Sequence, residues 1–492
     1  MRKVLLASVI LLIIFSALIC SKNSKSFFDV VSKGTPEEVQ KAIEAGTNVN
    51  DRTSDGYTLL MAAAGINQNP EVIVVLIKAG AKVNDRSSKG STPLMFAARD
   101  NQNPEVIAAL IKAGASVNDR DSHGSAPLMA AANWNQNPEV IVALIKAGAS
   151  VNDRDSLGWT PLMCAAGNNQ NPEVITALLK AGASVKDRSS KEWTPLRCAA
   201  YDNQNPEVLT VLIQAGANVN ERTSDGKTPL MSAAINNQNP EVITVLIKAG
   251  ANVNERTSDG LTPLMCAAVN NQNPKVIMAL IKAGANVNDQ SSDGATPLMD
   301  AAMNNKNPEV ITALIQAGAK VSDRSSDGVT PLMCAAGNNQ NPEIVTALIK
   351  AGANVNERTS DGKTPLMFAA VINQNPEVIT VLIQAGANVN ERTSDGFTPL
   401  MSAAMNNKNP EVITALIKAG ANVNEHGSNE ATPLMFAAGF NKNLGVITIL
   451  LKAGADGTLK DFRGKTAFDY AKNNENIKGT DQYWELNDAQ YK

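Results

Sequence analysis

A 34-residue repeat continues in strict register through most of this 492-residue chain. Each repeat reads T-P-L-M-x-A-A-x-x-N-Q-N-P-E-V-I-x-x-L-I-K-A-G-A-x-V-N-D/E-R-x-S-D-G-x, and its opening position recurs from Thr58 to Thr466, with Ala126 as the one substitution. A fixed period of a few dozen residues is typical of a solenoid, in which each repeat contacts only its neighbours. Such a stack can exceed the roughly 250–300 residues at which a single round core stops growing.

Two short helices are predicted in every repeat. Thr or Asn followed by Pro starts a helix, because the side chain caps a free backbone N–H and proline has none to leave unpaired. In one repeat this pattern predicts helices over about residues 93–99 and 104–112, and Gly114 ends the second helix in a left-handed conformation. Helices this short are unstable alone, so the apolar columns are expected to be buried between neighbouring repeats.

The full motif is more specific than its period. T-P-L-x-x-A-A, then E-V-I-x-x-L-I-x-A-G-A-x-V-N, then D-G, resembles the ankyrin repeat over about residues 26–474. The resemblance implies an all-α repeat solenoid, an ankyrin stack of helix-turn-helix repeats joined by β-hairpin-like loops. Two departures stand out: the repeat is one residue longer than the usual 33, and Met replaces the usual His after T-P-L, except at Arg197. Apolar packing is expected to substitute for the hydrogen bond of that His.

The repeats divide the chain into four segments. Residues 1–20 are predicted to be a signal peptide or membrane anchor, and residues 21–57 a short tether with an atypical N-terminal capping repeat. Residues 58–465 contain twelve 34-residue ankyrin repeats, and residues 466–492 a C-terminal capping repeat and a polar tail.

The first segment indicates export. A Met-Arg-Lys start is followed by an apolar run over residues 4–19 and by Cys20. This order resembles a bacterial lipoprotein signal, although Ile19 stands where that signal has Gly, Ala or Ser. Lipidation of Cys20 is our interpretation; an uncleaved anchor and an ordinary cleaved signal are the alternatives. All three export the repeats across a membrane, and Ser21, where an aspartate would favour inner-membrane retention, favours the outer membrane. The expected location is the cell envelope, on the periplasmic or outer-membrane face.

Composition and charge argue against several function classes. The net charge of −3 and the pI near 5.7 disfavour nucleic-acid binding, which needs a basic stripe. The two histidines, His123 and His426, are nearly nine repeats apart, so they cannot share a site. The acidic column followed by arginine, as in Asp85-Arg86, is interpreted as a surface ladder of charges rather than a metal row. We therefore expect no enzyme activity, no metal and no cofactor.

Four cysteines share one column of the repeat: Cys164, Cys198, Cys266 and Cys334. Neighbouring helices pack at about 8–10 Å, whereas a disulfide needs Cα atoms within roughly 7 Å. These cysteines are therefore predicted to be small, semi-buried thiols.

Four columns vary between repeats while the others barely change: the residue before the opening Thr, the residue after P-L-M, and the two after Ala-Ala. The resemblance places these columns in a concave groove that binds partners. Aromatic residues concentrate there in one part of the chain, where Glu192 also replaces the turn glycine. Trp, Tyr and Arg are enriched in binding hot spots, although drift at tolerant surface positions is the alternative. The candidate partner-binding residues are Phe96, Trp134, Trp159, Trp193, Arg197 and Tyr201.

These observations predict a monomeric protein–protein interaction scaffold outside the cytoplasm. It is expected to be attached to a membrane through its N-terminal anchor and to bind a protein partner of unknown identity. It is not expected to bind nucleic acid. The alternative is a membrane-tethered structural spacer of the cell envelope without a dedicated ligand, which the near-identical repeats over residues 218–423 favour.

Overall fold

The computed structural model describes residues 27–491, and within that range it contains α-helices and an isolated β-bridge between Arg52 and Thr58, but no strands. Cys20 and the rest of the predicted signal lie outside the described residues. The chain divides into two compact units, Met1–Val219 and Asn220–Lys492, here called the N-terminal and C-terminal units. In both, every repeat contributes a first and a second helix, as the all-α solenoid prediction requires.

The N-terminal unit contains six helix pairs within its described part. Its first helices are Phe27–Lys33, Leu59–Ile66, Pro93–Asp100, Pro127–Trp134, Pro161–Asn168 and Pro195–Asp202. Its second helices are Pro36–Glu44, Pro70–Lys78, Pro104–Lys112, Pro138–Lys146, Pro172–Lys180 and Pro206–Gln214.

The C-terminal unit contains eight helix pairs within its described part. Its first helices are Pro229–Asn236, Pro263–Asn270, Pro297–Asn304, Pro331–Asn338, Pro365–Ile372, Pro399–Asn406, Pro433–Phe440 and Ala467–Ala471. Its second helices are Pro240–Lys248, Pro274–Lys282, Pro308–Gln316, Pro342–Lys350, Pro376–Gln384, Pro410–Lys418, Leu444–Lys452 and Asp481–Ala489.

The predicted caps form the helix ends. The hydroxyl of Thr92 accepts a hydrogen bond from the backbone N–H of Met95 at 3.4 Å, which starts the first helix of that repeat. The second helix starts where Asn103 Oδ1 accepts from the N–H of Glu105 at 3.0 Å, and it ends before Gly114, whose φ is 91°. Both helix predictions are confirmed to within one residue, and at each helix start a side-chain oxygen accepts from one N–H group that lacks a helical partner.

The core consists of the apolar columns. Within each unit, first helices pack against the first helices of adjacent repeats, and second helices pack against second helices. Leu94, Ala97 and Ala98 on one first helix, and Val106 and Leu110 on the second, are fully buried. The small alanines allow close helix approach, while the larger side chains supply the buried apolar area that stabilises each interface.

The methionine column is buried. Some of its sulfur atoms also accept hydrogen bonds, which partly replace the hydrogen bond of the usual histidine. Met95 is 6 % exposed, and its Sδ accepts a weak hydrogen bond from the N–H of Thr92 at 3.5 Å. The same contact recurs between Thr262 and Met265 at 3.5 Å. The thioether therefore adds a weak acceptor to the apolar packing that the sequence predicts.

A buried asparagine ladder connects adjacent repeats, and sequence reasoning missed it. Asn101 is fully buried, and its Nδ2 donates to Ala64 O at 2.9 Å and Asn67 O at 2.8 Å in the preceding repeat. Its Oδ1 accepts from the N–H of Asn103 at 2.9 Å. Because the last carbonyls of a helix lack helical partners, this asparagine satisfies one of them from the next repeat. The first Asn of the Asn-Gln-Asn-Pro turn thus has a structural role.

The terminal segments close both ends with helices. Phe27–Lys33 packs against Leu59–Ile66, so the N-terminal cap has a first helix as well as the predicted second one. The polar C-terminal stretch contains Asp481–Ala489, which packs against Leu444–Lys452 and buries Leu486. No helix over residues 27–491 is both long and apolar enough to cross a membrane.

Candidate partner-binding surface

Four of the six predicted partner-binding residues come together in the N-terminal unit. The rings of Trp159 and Trp193 stack with their centroids 6.5 Å apart, and Tyr201 meets Trp193 edge-on at 5.3 Å. The guanidinium carbon of Arg197 lies 4.7 Å from the centre of the Trp193 ring. This arrangement permits a cation–π attraction, and it joins residues from two loops and one helix.

Loop hydrogen bonds position the two tryptophans beside the first helices. The N–H of Trp159 donates to Asp155 Oδ1 at 2.8 Å, and the N–H of Trp193 donates to Ser189 Oγ at 3.1 Å. Each tryptophan directly precedes the threonine that caps a first helix, so its ring lies next to the side chains of that helix. Both indoles are half-buried, which leaves ring surface for a partner to cover.

Phe96 belongs to a second cluster rather than to the tryptophan group. Its ring meets Tyr57 edge-on at 5.0 Å, and Tyr57 stacks on Phe28 at 6.3 Å. Arg99 lies 5.0 Å from the centre of the Phe96 ring and forms a salt bridge with Asp100 at 2.7 Å. Burial raises the pKa of Tyr57 to about 12 and keeps its phenol neutral. Tyr57 shares a sequence column with Trp159 and Trp193, so that column could have identified it.

A groove of about 210 Å³ lies between Phe96 and Trp134. Trp134 is 44 % exposed, so one edge of the groove presents a large apolar ring to solvent. Small side chains in the variable columns of these two repeats, Ser91, Ser125 and Ala130, form part of its lining. Its other lining residues are Met95, Arg99, Asp121, Ala126, Met129, Asn133 and Cys164.

The acidic and arginine columns form the predicted charge ladder. Salt bridges join Arg52 to Asp85 at 2.7 Å, Arg86 to Asp119 at 2.9 Å and Arg120 to Asp153. The arginine side chains are close to half-exposed, and exposed pairs contribute little each. Among the described residues no group of three or more His, Cys, Asp and Glu side chains could hold a metal ion.

The cysteine and histidine side chains near this surface are not poised for catalysis. Burial raises the pKa of Cys164 to about 12, so its thiol stays protonated and is a poor nucleophile. The four repeat cysteines are free thiols; Cys164 is half-buried as predicted, whereas Cys198, Cys266 and Cys334 are buried rather than semi-buried. His123 is 73 % exposed and lies 4.0 Å from Asp121, in a loop open to solvent.

The sequence of this chain also matches a known protein-family model. A family model described as ankyrin repeats in three copies matches overlapping stretches that together run from residue 27 to residue 478. The chain belongs to the ankyrin repeat family. Ankyrin repeats are in general non-enzymatic scaffolds for protein–protein interaction, and they typically bind protein partners.

One solved structure is similar to part of the chain. The crystal structure of the human ASB11 ankyrin repeat domain is 24 % identical to this chain and covers 46 % of it and 99 % of its own length, with a TM-score of 0.41. The search of curated proteins returns no match.

Proposed function

We propose that the chain recognises a protein partner through one surface of its N-terminal unit. This surface, called the aromatic surface below, comprises Phe96, Trp134, Trp159, Trp193 and Tyr201, together with Arg197, which is buried and lies against the Trp193 ring. The observation that supports the proposal is that Trp159, Trp193, Arg197 and Tyr201 form one cluster, while Phe96 and Trp134 line a groove in the same unit. Scattered single apolar residues on a surface are normal, whereas grouped large apolar side chains are typical of an interaction site.

The side-chain types suit recognition. Indole and phenol rings bury a large area at low cost in side-chain entropy, because they have only two rotatable bonds. Trp193 and Trp159 are braced by each other and by the hydrogen-bonded loops beneath them. A partner would therefore meet rings that are already ordered, which reduces the entropy lost on binding.

Truncation of both tryptophans tests the proposal. In the full chain, Trp159→Ala with Trp193→Ala should abolish retention of a partner that the wild-type chain retains in a pull-down. Phe397→Ala is a matched control, because Phe397 occupies the same sequence column in the C-terminal unit and packs on Phe436 at 4.9 Å. Circular dichroism should show helical content preserved in both variants. Partner retention by the tryptophan variant would reject the proposal.

The spacer alternative predicts a different outcome in the same experiment. If the chain only separates two structures in the cell envelope, the wild-type chain should retain no protein that the tryptophan variant loses. The nearly uniform repeats over residues 218–423 are the sequence feature that supports this alternative.

We further propose that the chain is exported and tethered to a membrane of the cell envelope through acylated Cys20, on the sequence pattern of residues 1–20 alone. Labelling with a radioactive fatty acid should mark the wild-type chain and leave Cys20→Ser unlabelled. Equal labelling of the two chains would overturn acylation at this cysteine.

A further inference from the structure

We infer that the partner segment bound by the aromatic surface is an extended, acidic polypeptide that inserts one large apolar side chain into the groove between Phe96 and Trp134. This inference rests on the proposed function and names the chemistry of its partner. It is supported by a change of charge in the loops beside the aromatic surface, by the engagement of the local carboxylates, and by the size of the groove.

The loop tips change charge where the aromatic residues occur. In each repeat the residue before the turn glycine forms the tip of the loop. That residue is acidic in the repeats on either side of the aromatic surface: Asp55, and then Asp225, Asp259, Asp293, Asp327, Asp361 and Asp395. In the four consecutive repeats between them it is Lys89, His123, Leu157 and Lys191. Aromatic rings and the loss of acidic tips therefore coincide in these four repeats; the tip is also non-acidic at Asn429 and Arg463, near the C-terminal end.

The tip lysines are available to a partner. Lys89 and Lys191 are both exposed, and neither forms a salt bridge within residues 27–491. Between them Leu157 is 56 % exposed and presents an apolar tip. Cations that flank an exposed apolar stretch are complementary to a segment whose carboxylates flank an apolar residue.

The carboxylates near these tips are already engaged. Asp121 accepts hydrogen bonds from the N–H groups of His123 at 2.8 Å and Ser125 at 2.9 Å, within its own turn. Asp155 accepts from Leu157 at 2.9 Å and from Trp159 at 2.8 Å in the same way. These two acids stabilise loop geometry, whereas the charged residues at the tips themselves, Lys89 and Lys191, are cationic, with Glu192 following Lys191.

The groove fits a side chain better than a separate small molecule. Its volume of about 210 Å³ is below the roughly 300–1,000 Å³ of typical small-ligand pockets. Buried Met95 and Met129 line it, and methionine adapts to differently shaped apolar groups. The groove cation, Arg99, is neutralised by Asp100. An uncharged aromatic or large aliphatic side chain is therefore the best occupant.

A nucleic acid is the competing polyanion. Stacking on tryptophans and contact with lysines would suit single-stranded nucleic acid, but such sites need a continuous basic track. Here the lysine tips are separated by Leu157 and the chain as a whole carries −3 charges. Lys89 and Lys191, spaced on either side of the apolar Leu157, favour a protein segment over a nucleic acid as the partner.

Peptide selection on the full chain tests this inference. A library of short random peptides would be selected on the wild-type chain and depleted on the Trp159→Ala, Trp193→Ala variant. Surviving peptides should be net acidic and should share one aromatic or large aliphatic residue flanked by Asp or Glu. A basic or neutral consensus, or no peptide dependent on the tryptophans, would overturn the inference.

Charge reversal then tests the lysine tips with a selected acidic peptide that contains no tryptophan. In a Trp484→Phe background, the tryptophans remaining in the chain are Trp134, Trp159 and Trp193, so intrinsic fluorescence reports on the aromatic surface. Lys89→Glu with Lys191→Glu should weaken binding about tenfold or more, because attraction becomes repulsion at two contacts.

The matched control reverses two tips in the C-terminal unit, Asp259→Lys and Asp327→Lys, and should leave the affinity unchanged. An equal loss with the control variant, or no loss with the lysine variant, would reject the charge assignment, as would tighter binding of an oligo-dT probe than of the peptide. If the tryptophan variant loses its cellular partner while acidic peptides fail to bind, the proposed function stands and this inference alone fails.

Discussion

Asn135→Ala tests the buried asparagine ladder. Asn135 is fully buried; its Nδ2 donates to Ala98 O at 2.9 Å and Asn101 O at 2.7 Å, and its Oδ1 accepts from Asn137 N–H at 2.9 Å. Truncation leaves two buried carbonyls and one partly buried N–H group without this partner. Each lost hydrogen bond costs about 1 kcal/mol, and more where the unpaired group stays out of contact with water. We therefore expect the free energy of unfolding to fall by about 3–5 kcal/mol.

Asn137→Ala is the matched control in the same turn. Asn137 is only half-buried; it caps the second helix through Glu139 N–H at 3.0 Å and donates to Gln102 O at 2.7 Å. Loss of such a cap costs about 1 kcal/mol.

Urea unfolding, followed by circular dichroism, would compare the two variants. Hydrogen exchange would localise the opening, because repeat arrays can unfold in parts. If Asn135→Ala lowers the free energy of unfolding by no more than Asn137→Ala does, the argument that burial of the backbone groups determines the loss is refuted.

Two further substitutions test a cap and a buried acid. Ala126 occupies the N-cap position without a side-chain hydrogen bond, and its backbone conformation matches that of Thr92. Ala126→Thr should therefore raise the free energy of unfolding in urea by about 1 kcal/mol. No gain in stability would contradict the capping argument. Burial raises the pKa of Asp300 to about 7 from 3.8, and its Oδ2 is buried without a hydrogen bond. Between about pH 4 and pH 7 this carboxyl is therefore ionised in the unfolded chain but still protonated in the folded one. The free energy of unfolding should fall as the pH rises through this range, by at most about 4 kcal/mol in total. Asp300→Ser, the residue found at the equivalent position 232, should raise the urea midpoint at pH 8 and not at pH 4; an equal change at both pH values would exclude ionisation as the cause.

The helices and core were predictable because their causes are local or strictly periodic. Thr92 and Asn103 cap helices whose first residues follow them directly, and the period places Leu94 and Val106 in columns that recur in every repeat. Such positions carry their structural signal in the sequence itself. The ankyrin fold, the two-helix repeat and the lack of repeat disulfides all follow from signals of this kind.

The candidate site was predictable only in part. The variable columns and their aromatic residues identified five members of the aromatic surface as candidates, and the exception in the methionine column identified Arg197, but neither signal showed how the six residues group. Phe96 and Trp193 occupy different columns, and the packing of loops on helices decides that Phe96 joins Tyr57 while Trp193 joins Tyr201. Small side chains from neighbouring repeats form part of the groove lining, which no single column reveals.

By itself, the sequence determined the repeat, its two helices, their caps and the apolar columns between them, because each depends on residues close in the chain or on the period. Only the tertiary structure decided which distant polar groups meet. The buried Asn101 finds carbonyls more than thirty residues earlier, and Asp300 is placed where its carboxylate is poorly solvated. Hydrogen-bond partners and local solvation depend on distances in space, and the period specifies only distances along the chain.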